Sequence, residues 1–300
     1  MSLTMVTGRH AHDGRTASEP PPPRRTQRTA HGPSDLEPAR PGRHRMTSAA
    51  VGALARWTPF VEAEICGLGS IVRPGAVCVD VGAAGGSYTT VLSRLSGPAG
   101  QVHSVEPLPF ANQRVARLLN VGSLANVRRH GLALGAEPGT DAMRVPVGRF
   151  GLVTGRSFLD HHAGGPDPNR EFAGQMAVAV RVDTLDSLCR REGVRRLDFV
   201  KIDVEGAELE VLWGGRRSIE AHRPVLLIEI ESRHTARYGR TPDDVTAWLF
   251  ERRYAMFTWQ RCWMPARSIQ TGTRNYLFRP LDRCPRSPRR VTGEVDPTAA

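Results

Sequence analysis

The chain has 300 residues, 40% apolar and 24% charged, with a formal charge of +11. Such a balance suits one large α/β domain, or two small ones, around a buried core. No apolar run reaches the roughly 18 residues of a membrane span, and Arg24-Arg25 is followed by no apolar segment. Neither a secretory nor a twin-arginine leader is expected, and the sequence reads as cytoplasmic with no membrane partner. Cys66, Cys78, Cys189, Cys262 and Cys284 form no CxxC pair and no Cys/His cluster, so they read as reduced thiols and zinc is not expected.

The positive charge is spread out. Residues 1–46 hold eight Arg against four acids, and residues 281–300 hold four against three. No Lys/Arg block of the kind that tracks a phosphate backbone is present, so a nucleic-acid partner is not expected. Of the 41 basic residues all but Lys201 are Arg. A lysine retained against that bias is expected to do what a guanidinium cannot, by fitting a tight buried site or losing a proton.

Residues 1–46 carry seven Pro and few large apolar groups; too little surface can be buried there to offset ordering entropy, so a disordered tail is expected. Met46 stands where the composition turns globular and is a candidate start. A single domain is expected over 47–280, followed by a loose tail over 281–300.

Within the domain, Val77 to Val81 reads as a short parallel strand buried on both faces. A helix is expected from Ser87 to Leu95, a strand from Gln101 to Glu106, a helix from Pro107 to Asn120 and a strand from Val127 to Leu134. Residues 135–182 read as irregular, with a hairpin and a Gly/Pro/His-rich loop at His161 to Asn169. Leu197 to Asp203 is the fourth expected strand, with a helix from Gly206 to Gly214-Gly215, and Pro224 to Ile230 the fifth. Thr241-Pro242-Asp243-Asp244 has the cap, proline and acids of a helix start. Tyr254 to Trp259 and Asn275 to Phe278 read as a closing antiparallel hairpin. The expected fold is a doubly wound, Rossmann-like α/β sheet of seven mostly parallel strands. Ligands of such sheets bind beyond the carboxyl ends of the strands, where strand order reverses.

Three strand ends carry chemistry. Asp80-Val81-Gly82-Ala83-Ala84-Gly85-Gly86-Ser87-Tyr88-Thr89 breaks from strand into glycines and then helix, which lets a ligand approach the backbone. Its D-x-G-x-x-x-G spacing departs from the G-x-G-x-x-G that cradles a pyrophosphate. It suits S-adenosylmethionine, which brings a carboxylate and an amine instead. Glu106, at the second strand end, is placed to accept hydrogen bonds from both ribose hydroxyls, and Leu132-Ala133-Leu134 to flank an adenine. In Leu197 to Glu208, period-two alternation puts Lys201 and Asp203 on one side of the strand, with Asp203 at its mouth. A structural Lys–Asp pair is the alternative there.

D-V-G-A-x-x-G-x-Y-T, V-E-P, V-D-T-L-D-S-L, D-F-V-K-I-D-V-E-G-A-E, R-P-V-L-L-I-E and N-Y-L-F follow one another from about Val77 to Phe278. In that order the chain resembles the FkbM-type methyltransferases. The resemblance implies an S-adenosylmethionine-dependent O-methyltransferase acting on a hydroxyl of a small molecule such as a natural product or sugar. It puts Asp80, Gly82, Gly86, Tyr88 and Glu106 on cofactor positions, and Lys201, Asp203 and Glu205 at the reaction centre; Ala84 in the glycine turn and Leu134 beside the adenine join the cofactor candidates from the strand ends themselves. Ala84 departs from the Asn common in the family, and no His directly follows Glu229-Ile230, although His234 lies close by. The alternatives are an enzyme of this fold acting on a macromolecule and a non-catalytic scaffold. An amide or nucleic-acid N-methyltransferase would carry an Asn/Asp-Pro-Pro-aromatic motif where Asp203-Val204-Glu205-Gly206 stands. Asp203 and Glu229, ending neighbouring strands, are the pair that would hold Mg²⁺. No third ligand is obvious, His234 being a weak candidate, so a required metal is not the favoured reading.

Overall fold

A computed structural model describes residues 62–108, 124–149, 151–166, 169, 171–172 and 174–283. The expected N-terminal tail, nearly all of the C-terminal tail, and the helix expected from Pro107 to Asn120, past Leu108, lie outside these residues. Thirteen strands are described: β1 (Val77–Val81), β2 (Gln101–Val105), β3 (Val127–His130), β4 (Ala133–Leu134), β5 (Gly139–Gly148), β6 (Gly151–Leu152), β7 (Phe158–Leu159), β8 (Gly174–Asp183), β9 (Phe199–Ile202), β10 (Val225–Glu229), β11 (Tyr254–Trp259), β12 (Trp263–Ala266) and β13 (Asn275–Pro280). The α-helices are α1 (Ser87–Ser96), α2 (Leu185–Arg191), α3 (Glu208–Gly214), α4 (Arg216–His222), the single turn α5 (Ser232–Thr235) and α6 (Pro242–Glu251). Among the described residues no helix is long and apolar enough to cross a membrane.

The main sheet has the order β12-β11-β13-β10-β9-β1-β2-β3. β1 pairs in parallel with β2 on one side and with β9 on the other, and β10 continues in parallel from β9. From β1 the chain therefore winds outward in both directions, and the gap between the ends of β1 and β9 is the switch point. The doubly wound class stands, with eight strands in place of seven, because β12 adds an antiparallel edge to β11. Apolar residues from both faces fill the core, Val79, Val200, Ile202, Leu226 and Ile228 on one side and Cys78, Phe199, Leu227 and Leu277 on the other. This is why the central strands read as continuous apolar runs. α6 starts as its sequence dictates, with Pro242 in the first turn and Thr241 and Asp244 capping each other reciprocally.

Two expectations need correcting. Val127 to Leu134 is not one strand: the chain leaves the main sheet after His130, and β4 pairs with β8 in a second sheet. Residues 135–182 are also far from irregular. β5 and β8, ten residues each, pair antiparallel from Gly139↔Val182 to Val147↔Gly174, with β6 and β7 alongside β5. Met143, Val145, Val180 and Val182 alternate along these strands and bury one face with Leu108, Ala133 and Leu159.

Candidate active site

β1 ends in a turn that only glycine permits. Gly82 has φ +77°, and a Cβ on it would lie 1.8 Å from the carbonyl oxygen of Asp203. The end of β1 thus touches the backbone leaving β9 at the switch point. The N–H groups of Gly82 and Ala83 both donate to the carbonyl of Val105, at 3.0 Å each, which draws the end of β2 into the same turn. Ala84 follows at φ 43°, a left-handed conformation that asparagine enters more readily than alanine. Glu106 accepts the N–H of Ala84 on one carboxylate oxygen and that of Leu108 on the other, both at 2.9 Å. Burial raises its pKa.

Gly82, Ala84 and Glu106 line a cleft of about 1020 Å³, counted to its open mouth. Leu132, Ala133 and Leu134 make one apolar wall, and Met143 and Leu159 of the second sheet extend it. Asp80, Gly86 and Tyr88 lie behind this surface rather than in it. Asp80 is 1% exposed, with the Thr89 hydroxyl 2.5 Å away, and so fastens α1 to β1. Burial pushes its pKa up to about 6. Gly86, left-handed at φ 82°, starts α1, and the Tyr88 phenol donates to Glu62, which itself lines the cleft.

Lys201 is also behind the wall. Its side chain is buried, its Nζ donates to Asn275 Oδ1 at 2.8 Å, and Asp203 Oδ2 is 3.4 Å away. Burial alone would lower its pKa, but Asp203, Glu62, Glu229 and Glu64 together raise it, so it stays an ammonium ion. Asp203 does line the cleft, and β10 brings Glu229 beside it. Burial pushes both carboxyls up; Lys201 pulls Asp203 back down, whereas Asp203 drives Glu229 well above the usual carboxylate range.

The chain after β9 is strained toward the cleft. Glu205 adopts φ 59° and Gly206 φ 114°, and a Cβ on Gly206 would come within 2.3 Å of the His234 carbonyl oxygen. Arg237 donates to the Glu205 carbonyl at 3.0 Å, with its guanidinium 3.5 Å above the Phe158 ring. Glu205 Oε2 then stands 3.1 Å from His234 Nε2. Burial first, and Asp203 second, raise Glu205 to about 8; burial holds His234 well below the usual imidazole value.

Several wall residues carried no signal in the sequence. Glu62, Thr154 to Ser157, Glu231, Arg233 and Arg274 all line the cleft, Glu62 from the segment before β1 and the rest through the second sheet or the segments after β10 and β12. Asn275 holds Lys201 because β13 pairs with β10 in the register Glu229↔Asn275; its motif was visible and its partner was not. His161 and His162 line a separate groove with Glu210, Trp213 and Tyr238.

A doubly wound sheet with a glycine turn at its switch point, an acid ending β2 and carboxylates at the ends of β9 and β10 places the chain among class I, Rossmann-like methyltransferase folds. The methyltransferase FkbM domain matches residues 80–256, and the chain belongs to that family. A methyltransferase of Sordaria araneosa, sdnD, is 28% identical over 157 residues, 45% of this chain and 59% of its own length. The crystal structure of methyltransferase FkbM from Methylobacillus flagellatus is similar at 16% identity and a TM-score of 0.42, covering 79% of this chain and 59% of that one. The O-methyltransferase TomG of Streptomyces achromogenes, involved in tomaymycin synthesis, is similar at 12% identity and a TM-score of 0.42, over 77% and 87% of the two chains. The chain thus spans less than two thirds of the first two proteins.

Proposed function

We propose that the chain is an S-adenosylmethionine-dependent O-methyltransferase whose acceptor is a hydroxyl of a small molecule. One observation carries this reading: a single cleft joins the Gly82–Ala84 turn and Glu106 to the carboxylates of Asp203, Glu205 and Glu229. The first half fits the cofactor. After accepting one N–H on each oxygen, Glu106 still has lone pairs for two ribose hydroxyls, and Leu132 to Leu134 offer an apolar face to the adenine. Bound there, S-adenosylmethionine supplies a methyl group on a sulfonium centre.

The protein's remaining work is to hold the acceptor oxygen in line and to take its proton. Asp203, held in place by Lys201, orients the hydroxyl, with Glu205 beside it. Lys201 acts through Asp203 and is a positioning residue. Burial pushes Glu106, Glu205 and Glu229 toward their neutral acids, which leaves the cleft floor closer to neutral than its six acids suggest and supports an uncharged acceptor over a polyphosphate chain.

Incubating the full chain with methyl-labelled S-adenosylmethionine and a panel of sugars, polyketides, peptides and RNA tests the reading. Incorporation into a hydroxyl of a small acceptor is expected. Label on RNA or peptide alone would favour the macromolecular alternative, and no cofactor binding at all would favour a scaffold.

A further inference from the structure

The floor of the cleft gathers more ligand atoms than orienting one hydroxyl requires. A carboxylate oxygen of Glu205, one of Glu229 and a ring nitrogen of His234 lie within 4.8 Å of one another. Glu62 and Asp203 form a second such group with Glu229. The first set is more than a crowd of acids. His234 is 2% exposed, and its Nε2 and Glu205 Oε2 face each other at 3.1 Å, yet neither atom has a hydrogen-bond partner among the described residues. The pair is a close His–carboxylate contact that lacks hydrogen-bond geometry, and an ion bridging both atoms and Glu229 would satisfy all three. Lys201 is engaged with Asp203 and Asn275, Arg233 and Arg274 with Glu231, Arg156 faces Glu171 at 3.8 Å, and Arg237 donates to the Glu205 carbonyl.

We infer that Glu205, Glu229 and His234 form a binding site for a divalent transition-metal ion of the Mn²⁺ or Zn²⁺ kind. Metal–ligand bonds of about 2.0–2.2 Å set neighbouring ligand atoms roughly 3.0 Å apart at right angles and roughly 3.4 Å apart in a tetrahedron. The 3.1 Å between Glu205 and His234 falls between the two. One imidazole with two carboxylates suits first-row transition ions, whereas Mg²⁺ favours oxygen ligands alone. Three protein ligands leave positions open toward the cleft for water or an acceptor oxygen, and a cation there would lower the pKa of a bound hydroxyl. That use of the ion rests on the methyl-transfer reading; the site itself rests on the geometry. His234 thus supplies the third ligand that Asp203 and Glu229 lacked in the sequence, and the site shifts from that pair to Glu205 and Glu229.

The test is to strip the full chain with EDTA, desalt it, and titrate Mn²⁺, Zn²⁺ and Mg²⁺ by calorimetry, following bound Mn²⁺ by electron paramagnetic resonance. A saturable one-to-one site for Mn²⁺ or Zn²⁺ is expected, with Mg²⁺ weaker and His234→Gln weakening the transition ion about tenfold or more. Absence of any saturable site on the parent chain overturns the inference, as does a folded His234→Gln chain that binds as tightly as the parent. If His234→Gln does not fold, Glu205→Gln replaces it under the same criterion. S-adenosylhomocysteine titrated into the same stripped sample reports separately on the methyl-transfer reading, so either can fail alone.

Discussion

Glu106 accepts the backbone N–H of Ala84 at 2.9 Å, which fastens the acid ending the second strand to the turn ending the first. The same carboxylate is thus both part of the fold and part of the proposed cofactor site. Glu106→Ala removes two hydrogen bonds from backbone to a charged acceptor. Stability without cofactor should fall by about 1–3 kcal/mol, and S-adenosylmethionine affinity by a similar amount. Thermal unfolding and calorimetry measure the two separately; normal values of both would remove Glu106 from the turn and from the site.

Gly82→Ala should be among the most damaging single changes in the chain. The added Cβ meets the Asp203 carbonyl oxygen at 1.8 Å, backbone against backbone, at a φ that L-residues avoid. A loss above about 3 kcal/mol is expected in urea unfolding. Gly239→Ala is the control: it is left-handed at φ 64° but nothing lies within 4 Å of the new Cβ, so a cost of about 1 kcal/mol is expected. Equal costs at the two positions would show that contact at the switch point is not what glycine provides.

Lys201 is fully buried between Asn275 and Asp203, close to the face of the Tyr88 ring. Lys201→Arg keeps the charge but needs more room and a planar fork where one ammonium fits. Turnover and thermal midpoint should both fall. Lys201→Met leaves Asp203 without its cation, at a cost of roughly 3–5 kcal/mol. A stable, fully active Lys201→Arg chain would mean that the lone lysine marks nothing.

His103 sets a pH dependence away from the cleft. It is fully buried on β2, its Nδ1 3.1 Å from His130 Nε2, and burial first, then His130, lowers its pKa from 6.5 to about 4. Above pH 6.5 both folded and unfolded chains carry it neutral, so its contribution is constant. As pH falls from 6.5 toward 4 only the unfolded chain gains the proton, and stability drops by up to about 3 kcal/mol. Urea unfolding at pH 7.5 and pH 5.0 should show the loss, and His103→Leu should make it smaller, with His234, which burial also holds low, keeping its own share. An unchanged slope in the variant would place the acid sensitivity elsewhere.

The central strands were legible because burial on both faces writes continuous apolar runs into β1, β9 and β10, each ended by Gly or an acid. The capped start of α6 was equally plain. The second sheet was half legible: the alternation of Val145 and Val180 signals strands, but the Gly/Pro/His-rich stretch between them concealed how far they pair. Site residues were legible where they sit at strand ends, as Glu106, Asp203 and Glu229 do. Asp80 and Tyr88 matched the motif, yet their side chains turn toward α1 and Glu62, which spacing along the chain does not encode. His234 was legible only as a weak candidate ligand. It reaches Glu205 only because the single turn α5 folds it back and Gly206 lets the two segments touch.

The most direct test of the account is calorimetric titration of S-adenosylmethionine into the full chain, beside the Glu106→Ala variant. The account predicts one saturable site per chain, shared with S-adenosylhomocysteine and weakened in the variant by about tenfold or more, the equivalent of about 1.4 kcal/mol. A folded parent chain that takes up neither compound would contradict it.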